Sequence, residues 1–165
     1  MRNKFTTVFI LVILILSVAA CSTPAKEADP MDKQIAYNDA SVAVDKVKIL
    51  FHKKTAADGT PILDPATGGR DKAKELLLGY FDAPLVDKIM AHYVTDQTVD
   101  DNVVLNKGED GAAVPFFNPS IIDTTFDAVK VEGSKEEFKI TTPENKIYTL
   151  KWQEDKGRYI VTNYE

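Results

Sequence analysis

The chain has 165 residues and a net charge of −5, with 20 lysines and arginines against 25 aspartates and glutamates. An acidic surface lacks the cations that displace counterions from DNA or RNA, so we expect no nucleic acid among its partners. A single cysteine excludes a disulfide within the chain. Two histidines without further thiols are too few ligands for a zinc site, so we expect no metal and no cofactor.

The first 20 residues have the layout of a secretory signal peptide. Arg2 and Lys4 precede an unbroken apolar run at 8–16, and mostly small residues follow. The run is too short to span a bilayer, which takes about 20 apolar residues. We therefore predict that residues 1–20 direct the chain out of the cytoplasm.

Cys21 gives this segment a more specific interpretation. The sequence Val18-Ala19-Ala20-Cys21 resembles the lipobox of bacterial lipoproteins. The resemblance implies that the Cys21 sulfur receives a diacylglyceryl group, that the chain is cut before it, and that the new amino terminus is open to acylation. Such a protein is anchored by its lipid at the extracytoplasmic face of a cell membrane. The alternative, an ordinary signal peptide, would leave an exposed thiol in an oxidising compartment.

Two ranges follow the cleavage point. Residues 21–30 begin with the lipidated cysteine and are small and polar, with two prolines, so we interpret them as a tether. Residues 31–165 have a length usual for one domain, and we expect a single domain there.

Three helices are predicted in the first half of this domain. The first spans 31–54, and His52 near its end is expected to be a cation beside the helix dipole. Its apolar face is predicted to consist of Ile35, Val42, Val47, Leu50 and Phe51. A loop at 55–69 follows, which Ile62 and Leu63 attach to the core. Asp71 and Asp82 are placed to cap the second and third helices, which meet at the sequence FDAP.

A long acidic segment at 95–120 follows the helices and is predicted to be a loop with a short strand at 103–105. A loop of this length in a small domain is more often functional than idle. An EF-hand does not fit, because its sixth position holds Asp101 where glycine is required. We predict partner contacts through Asp96, Asp100, Asp101, Glu109, Asp110, Phe116 and Phe117.

The C-terminal part predicts four strands joined by short turns, the first of them at 124–131. Tyr148, Leu150 and Trp152 share one face of the third strand, and we expect Trp152 to be largely buried. The helices are the cover available for this sheet. The predicted fold is therefore α+β, with N-terminal helices packed on a C-terminal four-stranded antiparallel meander.

From the sequence AKELLLGYFDAPLVDKIMAHYV onward, about residue 71 to the C-terminus, the order of elements resembles the IseA-like family of secreted inhibitors of bacterial D,L-endopeptidases. In that family a helix with a similar Lys-Glu-Leu-x-x-Tyr-Phe pattern, a turn, a second helix and a terminal antiparallel sheet recur. The resemblance implies inhibition of cell-wall hydrolases and assigns no contact residue. The arrangement is also similar to cystatin-like and nuclear transport factor 2-like domains.

Two functions remain open, and we expect neither to be enzymatic, because nucleophile-elbow and phosphate-loop patterns do not occur. The first is a membrane-anchored interaction module that meets a basic envelope protein and modulates a cell-envelope enzyme. The second is a small-ligand-binding domain with a pocket between sheet and helices, lined by Tyr80, Tyr148 and Trp152. A filled core with an exposed acidic segment favours the first function, and a pocket containing polar groups favours the second.

Overall fold

The computed structural model describes residues 28–165 of the chain. The predicted signal peptide, the lipidation site at Cys21 and most of the tether lie outside the described residues. Within the described part, none of the helices combines the length and the apolar character needed to cross a membrane.

The first helix, α1, spans Pro30–Phe51 and begins at a side-chain cap. The Asp29 carboxylate accepts a hydrogen bond from the Met31 amide at 2.8 Å, and Pro30 occupies the first helical turn, where its missing N–H costs nothing. Ala28 packs against the core. The last three residues of the range 21–30, which the sequence predicts to be a tether, thus include a core contact, the cap and the start of α1.

The buried face of α1 differs from the predicted one. Ile35 and Val42, which were expected in the core, are 39% and 43% exposed. The predicted Val47, Leu50 and Phe51 are confirmed as buried, and the rest of the buried face consists of the smaller Ala36, Ala40, Ala43 and Val44. Alanine contributes little to an apolar pattern, so the prediction gave too much weight to the larger side chains on a neighbouring face.

Two shorter helices follow, α2 at Arg70–Leu77 and α3 at Ala83–Tyr93. The predicted cap of α3 is confirmed, since the Asp82 carboxylate accepts from the Leu85 amide at 3.0 Å. The predicted cap of α2 is wrong: Gly69 is the N-cap residue, and Asp71 lies within the first turn. In the preceding loop, Ile62 and Leu63 are buried as expected.

The acidic segment begins with a β-hairpin. The short strand predicted at 103–105 is confirmed, and it pairs with a strand where the sequence predicted a loop. Strand β1, Val94–Val99, continues directly from α3 and pairs antiparallel with β2, Asn102–Leu105. The four central residues of β1 are polar. The sequence therefore lacks the alternating apolar positions by which a strand is recognised.

The C-terminal meander is confirmed. Strands β3 (Lys130–Gly133), β4 (Glu137–Thr141), β5 (Ile147–Gln153) and β6 (Arg158–Tyr164) pair antiparallel in chain order. The first strand is shorter than predicted, because Phe126–Ala128 forms a 3-10 turn.

The core lies between α1 and the sheet, so the α+β arrangement is confirmed. Helix α1 contacts all four strands of the meander and β6 most of all. Asp39 of α1 also accepts a hydrogen bond from the Tyr159 amide of β6 at 2.9 Å. Tyr148 and Leu150 are fully buried, whereas Trp152 is only partly buried, which corrects the prediction for that residue. Trp152 lies next to the β5–β6 turn, at the end of the covered sheet.

Candidate functional site: a cleft and an acidic hairpin

The segment 94–124 joins α3 to the sheet and carries both candidate sites. Its anchor is Tyr93, the last residue of α3, whose ring stacks on Phe51 at a centroid distance of 4.3 Å. The Tyr93 hydroxyl lies 2.8 Å from His52 Nε2, and it accepts a hydrogen bond from the Phe116 amide at 2.7 Å. Three parts of the chain therefore meet at one phenol oxygen.

The Phe116 amide, the Tyr93 hydroxyl and His52 Nε2 form a relay, and the direction of its last bond depends on the tautomer of His52. The hydroxyl donates to Nε2 when that nitrogen carries no proton and accepts from it when it does. Burial, and after it the electrostatic interactions with Lys48 and His92, lowers the pKa of His52 below its usual value of 6.5. Burial also raises the pKa of Tyr93 to about 12. His52 is therefore neutral at pH 7, which corrects its predicted role as a cation at the helix end.

Three further side chains fix the segment beyond Tyr93. His92 Nε2 donates to the Val114 carbonyl, with 2.8 Å between the two atoms. The Tyr164 hydroxyl accepts from the Asn118 amide at 3.1 Å, and the Tyr148 hydroxyl accepts from the Ile121 amide at 3.3 Å. Backbone groups of the segment thus bond to side chains of α3, β5 and β6.

This segment and the second half of α1 enclose an open cleft of about 240 Å³. Its apolar walls are Val44, Val47, Tyr93, Pro115, Phe117 and Ile122, and its polar lining is Lys48, His52, Asn118, Ser120 and Asp123. The cleft differs from the pocket predicted between sheet and helices. Tyr80, Tyr148 and Trp152 do not line it, and the Tyr148 side chain is part of the filled core.

A second hollow of about 320 Å³ lies near the end of α1. It is lined by residues between 51 and 61 and by the turn at 110–113, which includes Asp110. His52 lines both hollows.

The acidic candidates cluster first at the tip of the β1–β2 hairpin. Asp100 and Asp101 form its two-residue turn and have φ angles of +48° and +63°. Both residues are exposed. Within residues 28–165, neither carboxylate has a hydrogen bond or an ion pair. The Asn102 side-chain amide donates a hydrogen bond to the Asp100 backbone carbonyl at 2.8 Å.

Two of the three remaining acidic candidates have partners. Asp96 pairs with Arg70 at 3.2 Å on the surface. The Asp110 carboxylate accepts a hydrogen bond from the Ala112 amide at 3.0 Å and so stabilises its own turn. Glu109 is exposed beside it and, within residues 28–165, has neither a hydrogen bond nor an ion pair. Among the described residues, no group of three histidine, cysteine or acidic side chains is placed to hold a metal ion.

The two aromatic candidates divide between surface and core. Phe117 is 4% exposed and stacks between Phe81 and Tyr148, with centroid distances of 5.8 Å to each. It is therefore a core residue and a wall of the cleft, which corrects its predicted place on a partner surface. Phe116 is partly buried against His92 and Phe117.

Several cleft residues escaped the sequence analysis. His52 and Tyr93 bond across 41 positions of the chain, and neither position has a motif that links it to the other. Lys48, Asn118 and Asp123 looked like ordinary surface residues, and only the path of the 115–123 segment over α1 brings them to one cleft. No spacing in the sequence predicts that path.

The chain matches no family model, and no curated protein or solved structure matches it. The resemblance to the IseA-like family and to cystatin-like domains therefore stays a prediction.

Proposed function

We propose that this chain is a lipid-anchored, non-catalytic interaction module at the extracytoplasmic face of a cell membrane. In this proposal it binds a basic envelope protein through the tip of the β1–β2 hairpin and thereby modulates an envelope enzyme. The lipid attached at Cys21 holds the domain at the membrane.

The unpartnered pair Asp100 and Asp101 is the observation that carries the proposal. Two like charges on adjacent residues repel each other, and within residues 28–165 no cation balances them. The two carboxylates place negative charge at the tip of a short hairpin, which forms a sheet separate from the four-stranded one. A basic surface would relieve the repulsion and gain from both charges.

The arrangement of the described side chains supports a non-catalytic role. His52 Nε2 is bonded to Tyr93 and His92 Nε2 to a backbone carbonyl, so neither ring is paired with a serine or threonine hydroxyl. The core between α1 and the sheet is filled, which favours a partner surface over the predicted internal pocket.

The anchor is tested by Cys21→Ala. If the lipid holds the protein, the variant leaves the membrane fraction or accumulates with its signal peptide uncut. Cys21→Ser serves as a second variant, because it keeps the size and polarity of the side chain and still removes the sulfur. A variant that stays at the membrane with a normally processed chain would exclude lipidation at this position.

The partner contact is tested with a matched pair of double variants. Asp100→Asn with Asp101→Asn removes the charge of the hairpin tip. Glu154→Gln with Asp155→Asn removes the same charge from the exposed β5–β6 turn and is the control. Wild type and both variants are used in parallel to capture proteins from envelope extract.

The proposal requires a basic protein that wild type and control capture and the hairpin variant loses. Its association rate with the wild type should fall as salt increases, and this dependence should be weaker for the hairpin variant. Equal capture by all three forms, or rates that do not respond to salt, would contradict a role for the hairpin charges.

A further inference from the structure

The cleft between α1 and the 115–123 segment has one cation and one anion in its lining. Lys48 belongs to α1, and Asp123 belongs to the 3-10 turn Ile121–Asp123 that packs against the helix. Both side chains are exposed, and within residues 28–165 neither is in an ion pair. The two opposite charges therefore remain available to a third group.

The other polar groups of the cleft add no net charge. His52 is neutral at pH 7, because burial and the neighbouring Lys48 and His92 lower its pKa. Asn118 uses its backbone N–H and C=O for Tyr164, and its side-chain amide has no partner among the described residues. Ser120 accepts a hydrogen bond from the Ile122 amide at 3.4 Å.

The walls between these polar groups are apolar and partly rigid. Val44, Val47 and Phe117 are almost completely buried, because they also pack against the core. Phe117 is held in place by its stacked aromatic neighbours. The segment that supplies Pro115 and Ile122 is attached through the hydroxyls of Tyr93 and Tyr148. The cleft is thus preformed, which lowers the ordering cost of binding.

We propose that this cleft binds a single zwitterionic amino acid with an apolar side chain. The ligand carboxylate faces Lys48, its ammonium group faces Asp123, and its side chain lies against Val47 and Phe117. The volume of about 240 Å³ is below the range of about 300–1,000 Å³ for drug-sized ligands, so a nucleotide or a long peptide is too large.

The charge pattern is tested with three probes that differ in one group each. Phenylalanine has both charges, phenylalaninamide lacks the carboxylate, and N-acetylphenylalanine lacks the ammonium group. Binding to the full chain is followed by NMR shifts of the backbone amides. We expect wild type to prefer phenylalanine over each analogue by about twofold to fivefold, as for exposed ion pairs.

Two variants assign the charges to residues. Lys48→Gln should abolish the preference over phenylalaninamide and keep the preference over N-acetylphenylalanine, and Asp123→Asn should do the reverse. Lys53→Gln and Asp127→Asn are the controls, because they remove exposed charges close by in sequence that do not line the cleft. Both controls should keep both preferences.

Several outcomes would overturn the assignment. They are equal affinity for the three probes, shifts confined to residues away from 44–52, Tyr93 and 115–123, identical behaviour of cleft variants and controls, or no shift up to the solubility of phenylalanine. The result is independent of the proposed hairpin contact. Asp100→Asn with Asp101→Asn should leave phenylalanine binding unchanged, so the two ideas can fail separately.

Discussion

The α1–sheet half and the segment 94–124 are held in place by different interactions. In the first half, fully buried apolar side chains pack between a helix and a sheet whose registers are nearly continuous. In the segment, backbone N–H groups of Phe116, Asn118 and Ile121 are bonded to three tyrosine hydroxyls of the neighbouring elements.

Because of this difference, we expect core packing to determine the stability of the fold and the hydrogen bonds of the segment to determine the shape of the candidate sites. Burial of a large side chain contributes several kcal/mol, whereas one hydrogen bond contributes about 1 kcal/mol net. Substitutions in the helix–sheet core should therefore unfold the chain. Substitutions of exposed or hydrogen-bonding side chains in the segment should change the cleft or the hairpin and leave the fold intact. Phe117, which lies in the segment but is buried in the core, belongs with the first group.

The largest expected effect is that of Phe138→Ala. Phe138 is fully buried in β4 and packs edge-on against Tyr159 at a centroid distance of 5.4 Å. Its loss should lower the free energy of unfolding by about 3–5 kcal/mol. Urea unfolding, followed by Trp152 fluorescence, measures the change.

The control for this prediction is Val114→Ala, which removes methyl groups from a side chain that is 45% exposed. We expect a change within about 0.5 kcal/mol. Similar losses for the two variants would break the comparison between core and segment.

The next effect concerns Gly133, the last residue of β3. Gly133 has a φ of +128°, and a Cβ there would lie 2.2 Å from the Glu137 carbonyl oxygen. Gly133→Ala should therefore lower the free energy of unfolding by about 2–4 kcal/mol, because the collision adds to the strain of the positive φ. Gly157→Ala in the β5–β6 turn is the matched control, because its φ is also positive but its Cβ would meet nothing within 4 Å.

In the control, the free energy of unfolding should fall only by the cost of a positive φ at an alanine, about 1–2 kcal/mol. Chemical denaturation of both variants gives the two values. If Gly157→Ala costs as much as Gly133→Ala, then the collision with Glu137 is not what requires glycine at Gly133.

The sequence predicted the core half better than the segment, and the reason is physical. Turn residues such as Gly133 and Asn145 mark the ends of strands, and alternating apolar residues mark their faces, so local patterns determine the meander. Asp82 likewise predicted the start of α3, because a cap depends on residues three positions apart.

The segment could not be predicted in the same way. Its path depends on contacts such as that between Tyr93 and Phe116, and the cleft depends on residues from α1 and from 115–123. The sequence showed the charges of Asp100 and Asp101, but it did not predict the two-residue turn that places them at the tip of a hairpin.

Tyr93→Phe tests whether the relay shapes the segment. The variant keeps the stacked ring on Phe51 and removes the oxygen that accepts from the Phe116 amide. We expect the free energy of unfolding to fall by about 1–2 kcal/mol and the Phe116 amide to exchange faster with solvent. Tyr80→Phe is the control, because the Tyr80 hydroxyl has no hydrogen bond within the described part of the chain.

Denaturation and amide hydrogen exchange distinguish the outcomes for these two variants. Unchanged exchange at Phe116 in Tyr93→Phe would mean that the relay does not hold the segment. The helix–sheet core should keep its exchange rates in both variants.

A smaller effect is expected on acidification. The folded protein keeps His52 neutral, with a pKa below 6.5, so below pH 6.5 the unfolded chain binds more protons than the folded one. The stability due to neutral His52 is full above about pH 6.5 and is lost as the pH falls toward the folded pKa. Lys48, His92 and Tyr93 are the charged or titratable groups that face this ring.

The melting temperature between pH 8 and pH 5 measures this dependence. The decrease in melting temperature should be smaller in His52→Gln than in wild type. In His92→Gln the decrease should be nearly as large as in wild type. If the curves of wild type and His52→Gln run parallel, then protonation of His52 does not oppose folding.

The smallest effect on stability is expected at the hairpin tip, in Asp100→Asn with Asp101→Asn. Both residues have positive φ, a conformation that asparagine adopts as readily as aspartate, and within residues 28–165 both carboxylates lack partners. The free energy of unfolding should therefore change by less than about 0.5 kcal/mol. Urea unfolding beside the control Glu154→Gln with Asp155→Asn measures it. A loss well above that value, absent from the control, would mean that the two carboxylates stabilise the hairpin itself. In that case their charges would have a structural reason, and the hairpin would no longer stand out as a partner surface.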